Sequence, residues 1–204
     1  EEHPGLRKRL RTVFSLVGLV LAFFMALYTG MLLKAAPGIP FWNSWLLPCL
    51  FVASALGAGL NVVASLAVLT GSARKVSRTR RRLFAGIVIG VVAVESALLF
   101  FYLANMLQGG SGAQPSQQFA AQVSAELLLS GSCSLPFWGL VIAGGLVAPL
   151  ILSVLSLFLR GRAGWRILAI GAMLTVVGDC ALRFLFLHVG MGADYIGQAL
   201  LLIL

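Results

Sequence analysis

The fold is decided by stretches such as ILAIGAMLTVVGDCALRFLFLH, residues 167–188, an apolar run interrupted only by a few polar or charged residues. A helix needs about 20 mainly apolar residues to cross a hydrocarbon core roughly 30 Å thick. Four more such runs occur, at 12–33, 45–69, 83–107 and 135–159. Because the runs do not alternate in polarity, membrane strands are a poor alternative. The sequence therefore predicts an all-α integral membrane protein, a bundle of five transmembrane helices.

Composition supports this class, since 60% of the 204 residues are hydrophobic and only 10% are charged, far outside the range of soluble domains. The first apolar run is too long for a cleaved signal peptide. The chain begins with Glu1 rather than methionine, and we expect it to be processed or incomplete. We interpret residues 1–204 as a single transmembrane domain with a long outer loop at 108–134.

Basic residues are unevenly distributed along the chain, which carries a formal net charge of +9. Most of them lie before the first run, between the second and third, or between the fourth and fifth. Basic loops stay on the cytoplasmic side of a membrane. The bias predicts a cytoplasmic N-terminal end and a C-terminal end outside. Contact with anionic lipid accounts for these charges, and no nucleic-acid partner is expected.

Three further patterns concern packing. Tryptophans at 42, 45 and 138 begin the second and fourth runs and predict an interfacial aromatic belt. Small residues at four-residue spacing, from Gly18 to Gly30, predict a close-packing face on the first helix. In the outer loop, Phe119, Val123 and Leu127 predict a short helix on the outer surface.

Charged residues inside the predicted spans are the candidate functional groups. At about 1.5 Å per residue, Glu95 and Asp179 lie roughly 18 to 20 Å from the cytoplasmic ends of their helices, and Tyr28 and Arg183 roughly 26 Å. A charge at this depth costs at least about 2.5 to 3.5 kcal/mol. Asp179 and Arg183 can pair at i, i+4 without any function. Glu95 has no partner on its own helix, so we expect a proton path of Glu95, Asp179, Arg183 and His188.

Several motifs, in this order, resemble the C-terminal half of the NrfD/PsrC family of membrane subunits. They are LYTGMLL (27–33), IPFWNSWLLPCLFVASALGAGL (39–60), Glu95, PFWG (136–139) and GDCALRFLFLHVG (178–190). The family includes the membrane subunits of polysulfide reductase and formate-dependent nitrite reductase. The resemblance implies a quinone-interacting anchor in the bacterial cytoplasmic (inner) membrane, with menaquinone or ubiquinone bound toward the periplasmic side.

The resemblance also implies site residues and partners. Tyr28, with Thr29 and Gly30, would hold the quinone headgroup, and Glu95 and Arg183 would belong to the proton path. The partners would be a four-cluster, ferredoxin-like iron-sulfur subunit, a molybdopterin or multihaem cytochrome subunit, and other membrane subunits. No haem or metal is expected in this chain. His188 is the only histidine within a span, and the cysteines lack CxxC spacing.

The sequence departs from the family in one respect, because members usually have additional N-terminal helices that contribute much of the quinone pocket. We expect, in this order, an incomplete record of a longer subunit, a pocket completed by another chain, or a copy that has lost quinone binding. Alternative functions are a small proton-conducting or transport subunit and a structural scaffold without quinone binding. No inverted repeat supports a transporter, and no motif of a soluble enzyme occurs.

Overall fold

The computed structural model describes residues 4–36, 38–71, 78–110, 112, 114–159 and 162–201, without the side chains of residues 4–8, 78, 162 and 193–201. Its elements are α1 (Pro4–Lys34), α2 (Leu46–Leu69), α3 (Arg78–Leu107), α4 (Pro115–Leu129), a short α5 (Ser134–Pro136), a π-helical segment (Phe137–Val147), α6 (Ala148–Phe158) and α7 (Arg162–Leu201). No strand occurs among these residues.

Five stretches of helix are long and apolar enough to cross a membrane, which confirms the predicted fold class. They are Arg9–Lys34, Leu46–Leu69, Thr79–Leu107, Ser134–Phe158 and Ala163–Gly192. The helices extend beyond the apolar runs because their basic ends are helical as well. The orientation in the membrane and the single-domain organisation remain predictions.

Four of the spans form a ring. In chain order around it, α2 packs against α3, α3 against α6, the π segment and α6 against α7, and α7 against α2. Consecutive helices run in opposite directions, so the two members of each diagonal pair, α3 with α7 and α2 with α6, run in the same direction. Polar side chains that reach inward from α3 and α7 therefore meet in the centre of the ring.

α1 lies outside the ring and packs against α2. The predicted small-residue face is used only at its end, where a Cβ on Gly30 would lie 2.5 Å from the Cα of Pro48. A Cβ on Gly18 would meet nothing within 4 Å. Gly18 and Ala22 are exposed and Ala26 is half-buried, so the spacing of small residues indicated a contact longer than the one that forms.

α4 confirms the short helix predicted between the third and fourth spans, and two of the three residues that predicted it, Val123 and Leu127, are half-buried. Phe119 is mostly exposed, whereas the buried residues are Ala121, Ser124, Ala125 and Leu128. They pack toward α3 and α7. Gly109 and Gly110, both in the left-handed region with φ of 96° and 61°, allow the chain to reverse after α3.

An aromatic core lies beneath α4, at the end of the ring where α3 finishes. Phe41, Tyr102 and Phe186 are buried there with ring centroids 5.1 to 5.5 Å apart. The Tyr102 hydroxyl donates a hydrogen bond to the Phe41 carbonyl. Trp42 donates from Nε1 to the Phe186 carbonyl, 2.9 Å away. Trp42 is therefore buried rather than part of the predicted belt, while Trp45 and Trp138 are exposed as expected.

The fourth span contains the π-helical segment, which the hydrophobic pattern did not indicate. Its residue Gly145 meets Gly178 of α7 backbone to backbone, since a Cβ on Gly178 would lie 2.2 Å from the Cα of Gly145. Only glycine on both helices allows this approach. The contact lies directly beside Asp179, the residue that follows Gly178.

Candidate functional site

The centre of the ring holds two carboxyl groups. Glu95 of α3 and Asp179 of α7 lie next to each other, and the hydroxyl of Ser54 from α2 lies beside both. Glu95 is 1% exposed, Asp179 6% and Ser54 0%. α3 and α7 thus bring together the deeper polar layer that the spacing predicted, and α2 adds a hydroxyl to it.

This cluster is incompletely hydrogen-bonded. Ser54 Oγ, Glu95 Oε2 and Asp179 Oδ2 are buried and complete no hydrogen bond of good geometry. Leaving a buried polar group unpaired costs about 1 to 3 kcal/mol, and more for a charged one. Gly57, one turn along α2 from Ser54, also faces the cluster, and its Cβ position lies 3.6 Å from Glu95 Oε2, an ordinary van der Waals distance. Two carboxyl groups in such a site can share or pass on a proton.

Arg183 lies one turn beyond Asp179 on α7. Its Nη2 is 3.5 Å from the Phe51 carbonyl oxygen, and its guanidinium carbon is 5.5 Å from the centroid of the Phe51 ring. Among the described residues no ion pair joins Arg183 to Asp179 or Glu95, so the i, i+4 pair that the sequence allowed does not form. The positive charge still acts on both carboxyl groups. Arg183 Nε is buried without a hydrogen bond.

The three residues assigned to the quinone lie at the end of α1 that contacts α2. The Tyr28 side chain is 61% exposed. The Thr29 hydroxyl donates to the Ala26 carbonyl 2.8 Å away, and Gly30 packs on Pro48. Tyr28 is thus the one member of this set whose side chain is free to meet a ligand, and it lies on a surface of the protein.

His188 lies apart from the other members of the predicted proton path. It belongs to the exposed side of α7 and stacks on Phe184, with ring centroids 6.1 Å apart and an interplanar angle of 4°. Asp179 lies on the opposite, buried side of α7, where it meets Glu95 of α3. The structure brings together Glu95, Asp179 and Arg183 and does not bring His188 to them.

Two features of the site were missed by reasoning from the sequence. Ser54 was assigned only to a packing stripe on α2, although its hydroxyl lies beside both carboxyl groups. The available signal was the spacing of Ser54 and Asn61, two polar residues seven positions apart on α2, and both are buried. Nothing in the sequence beyond the presence of two glycines could have predicted the contact of Gly145 with Gly178. Among the described residues, no group of histidine, cysteine and acidic side chains could hold a metal ion.

The family model for polysulphide reductase, NrfD, matches residues 5–192. The chain belongs to the NrfD family. It is 32% identical to the C subunit of polysulfide reductase from Wolinella succinogenes over 86% of this chain and 52% of that protein. It is 30% identical to the NrfD protein of Escherichia coli over 84% of this chain and 51% of that protein.

A third NrfD relative, the NrfD homologue of Haemophilus influenzae, is 24% identical over 91% of this chain and 55% of its own length. The chain spans about half the length of the curated relatives it matches. No solved structure matches it. The family match over residues 5–192 confirms the family that the sequence motifs indicated.

Proposed function

We propose that this chain is a quinone-interacting membrane anchor of a multi-subunit respiratory oxidoreductase, which relays protons through Glu95, Asp179 and Arg183. The carboxyl pair in the centre of the ring is the observation that carries the proposal. Charged residues at membrane depth are costly, and they are found mainly where ions or protons move. A purely structural bundle would be more stable with apolar residues at both positions.

The arrangement suits proton transfer because each carboxyl group can accept a proton and then donate it. Ser54 adds a hydroxyl group that can both donate and accept a hydrogen bond. This hydroxyl extends from α2 to the two acidic residues. Arg183 supplies positive charge that limits the repulsion between the two carboxyl groups. These residues would hold a proton in the apolar centre of the bundle and release it toward the substrate.

Tyr28 is the residue we assign to the quinone headgroup. Reduction of a quinone requires two electrons and two protons, and a phenol hydroxyl can hydrogen-bond to the quinone carbonyl. The exposed hydroxyl of Tyr28 fits this role, whereas Thr29 is bonded to its own helix and Gly30 fixes α1 on α2. Because Tyr28 lies on a surface, we propose that the rest of the pocket is supplied by further residues of a longer subunit or by another chain.

The remaining parts of the proposal follow from family membership. Electrons would pass between the quinone, which is menaquinone or ubiquinone, and a ferredoxin-like iron-sulfur subunit with four clusters. That subunit would connect to a molybdopterin or multihaem cytochrome subunit. We place the protein in the bacterial cytoplasmic membrane, with its quinone site toward the periplasmic side.

The decisive experiment is Glu95→Gln in the membrane-bound complex, with quinone-coupled turnover as the measurement. Glutamine keeps the size of the side chain and removes its proton exchange. We expect turnover to fall by at least about tenfold, equivalent to about 1.4 kcal/mol in the barrier, with assembly retained. Glu126→Gln, an exposed acid on α4, is the matched control. Normal turnover of Glu95→Gln would refute the relay.

A further inference from the structure

The acidic residues of the central pair come from α3 and α7, which lie diagonally across the ring. Their separation is therefore set by the helices between them, which are α2 on one side and the fourth span on the other. Any change in the distance between α7 and the fourth span alters how far Asp179 reaches toward Glu95.

The fourth span approaches α7 most closely at two glycines. A Cβ on Gly178 would lie 2.2 Å from the Cα of Gly145, and a Cβ on Gly145 would lie 2.8 Å from the Cα of Gly178. The Leu140 carbonyl oxygen is 3.2 Å from the Cβ position of Gly178. Backbone is less able than a flexible side chain to move away, so an added methyl group would have to push the two helices apart.

The π-helical geometry places Gly145 in this contact. Each π turn contains about one residue more than an α turn, and such turns often mark functional sites in helices. The segment Phe137–Val147 includes Gly139, Gly144 and Gly145, of which Gly145 is the one that faces the backbone of α7. The wider turn and the missing side chain together allow α7 to lie deep against the fourth span.

We propose that the contact between Gly145 and Gly178 is a positioning device, which holds Asp179 against Glu95 in the centre of the ring. Gly178 precedes Asp179 in the sequence, so a displacement of its backbone moves the carboxyl group directly. The meaning of this role for turnover rests on the proposed proton relay, but the geometry can be tested without it.

The test is infrared difference spectroscopy of the carboxyl groups in the membrane-bound complex. Bands that disappear in Glu95→Gln belong to Glu95, whether it is protonated or ionised. Replacement of its neighbour in Asp179→Asn will shift those bands and so calibrates the contact. We expect Gly178→Ala to shift the bands of Glu95 as well, because α7 moves away from the fourth span.

Three matched variants separate positioning from general packing. Gly190→Ala places its methyl group equally close to a neighbour on the same helix, 2.2 Å from the side-chain atom Trp42 Nε1, but eleven residues beyond Asp179. Gly139→Ala and Gly192→Ala add a methyl group where nothing lies within 4 Å. All three should leave the bands of Glu95 unchanged. Should Gly178→Ala not accumulate, Gly145→Ala gives the same information with a milder clash.

A rescue completes the test. Asp179→Glu combined with Gly178→Ala lengthens the side chain by one methylene group, and we expect it to bring the bands of Glu95 back toward their original positions. Unchanged bands in Gly178→Ala, or an equal shift in Gly190→Ala, would overturn the proposal. Normal turnover of Glu95→Gln would instead overturn the proton relay, so the two failures are distinguishable.

Discussion

Arg183 lies one helical turn from Asp179 and yet turns its guanidinium group toward Phe51 rather than forming an ion pair. The central carboxyl pair is thus influenced by a positive charge without being locked to it. A carboxyl group in a tight ion pair would release or accept a proton less readily. The geometry agrees with a group that must change its protonation state.

Arg183→Gln is expected to lower quinone-coupled turnover by at least about tenfold, because two carboxyl groups then share the apolar centre without a compensating charge. Turnover is measured in membranes and normalised to the assembled complex. Arg82→Gln serves as the control, since Arg82 is an exposed arginine near the start of α3. Equal turnover of the two variants would remove Arg183 from the relay.

Tyr28→Phe is expected to raise the apparent KM for quinone severalfold and to leave the maximal rate nearly unchanged. The loss of one hydrogen bond corresponds to about 0.5 to 1.5 kcal/mol. The measurement is a quinone titration with the intact complex. An unchanged KM would exclude the Tyr28 hydroxyl from the headgroup site.

Tyr102→Phe is expected to destabilise the protein by about 1 to 3 kcal/mol, because the Phe41 carbonyl loses its donor in a fully buried position. Thermal unfolding in detergent would measure this loss. Tyr28→Phe is the control, since removal of an exposed hydroxyl should change stability by less than about 0.5 kcal/mol. Equal melting temperatures would show that the buried hydrogen bond contributes nothing.

Arg81→Met is expected to loosen the connection between α6 and α7, at a cost of about 1.5 to 3 kcal/mol. Arg81 is 2% exposed and donates to the Leu159 carbonyl at the end of α6. Limited proteolysis near residues 159–164 would detect the change. The neighbouring Arg82→Met removes an exposed arginine and should leave the cleavage pattern as it is.

The five spans and the central position of Glu95 and Asp179 were predictable from the sequence, because apolar length and helical rise depend on local properties. Which side of α7 carries His188 required knowledge of where the other helices pack. Counting residues gives the depth of a side chain along the helix axis. It does not show whether that side chain faces the centre of the ring or the outside. The exposure of Tyr28 could not be predicted from the sequence for the same reason.

The π segment is a second feature that could not be predicted from the sequence. Its sequence, FWGLVIAGGLV, has the composition of an ordinary membrane helix, and the change in hydrogen bonding leaves no mark in its hydrophobicity. The pairing of Gly145 with Gly178 joins two residues 33 positions apart. Such contacts depend on tertiary packing, which neither periodicity nor spacing encodes.

α4 and the aromatic core beneath it have a consequence for how a small molecule would approach the bundle. Phe41, Tyr102 and Phe186 pack against one another and are buried beneath α4, so the ring is apolar at this end. A lipid-soluble molecule diffuses in the plane of the bilayer and approaches a membrane protein from the side. A quinone bound as proposed would therefore reach the protein from the lipid phase rather than along the bundle axis.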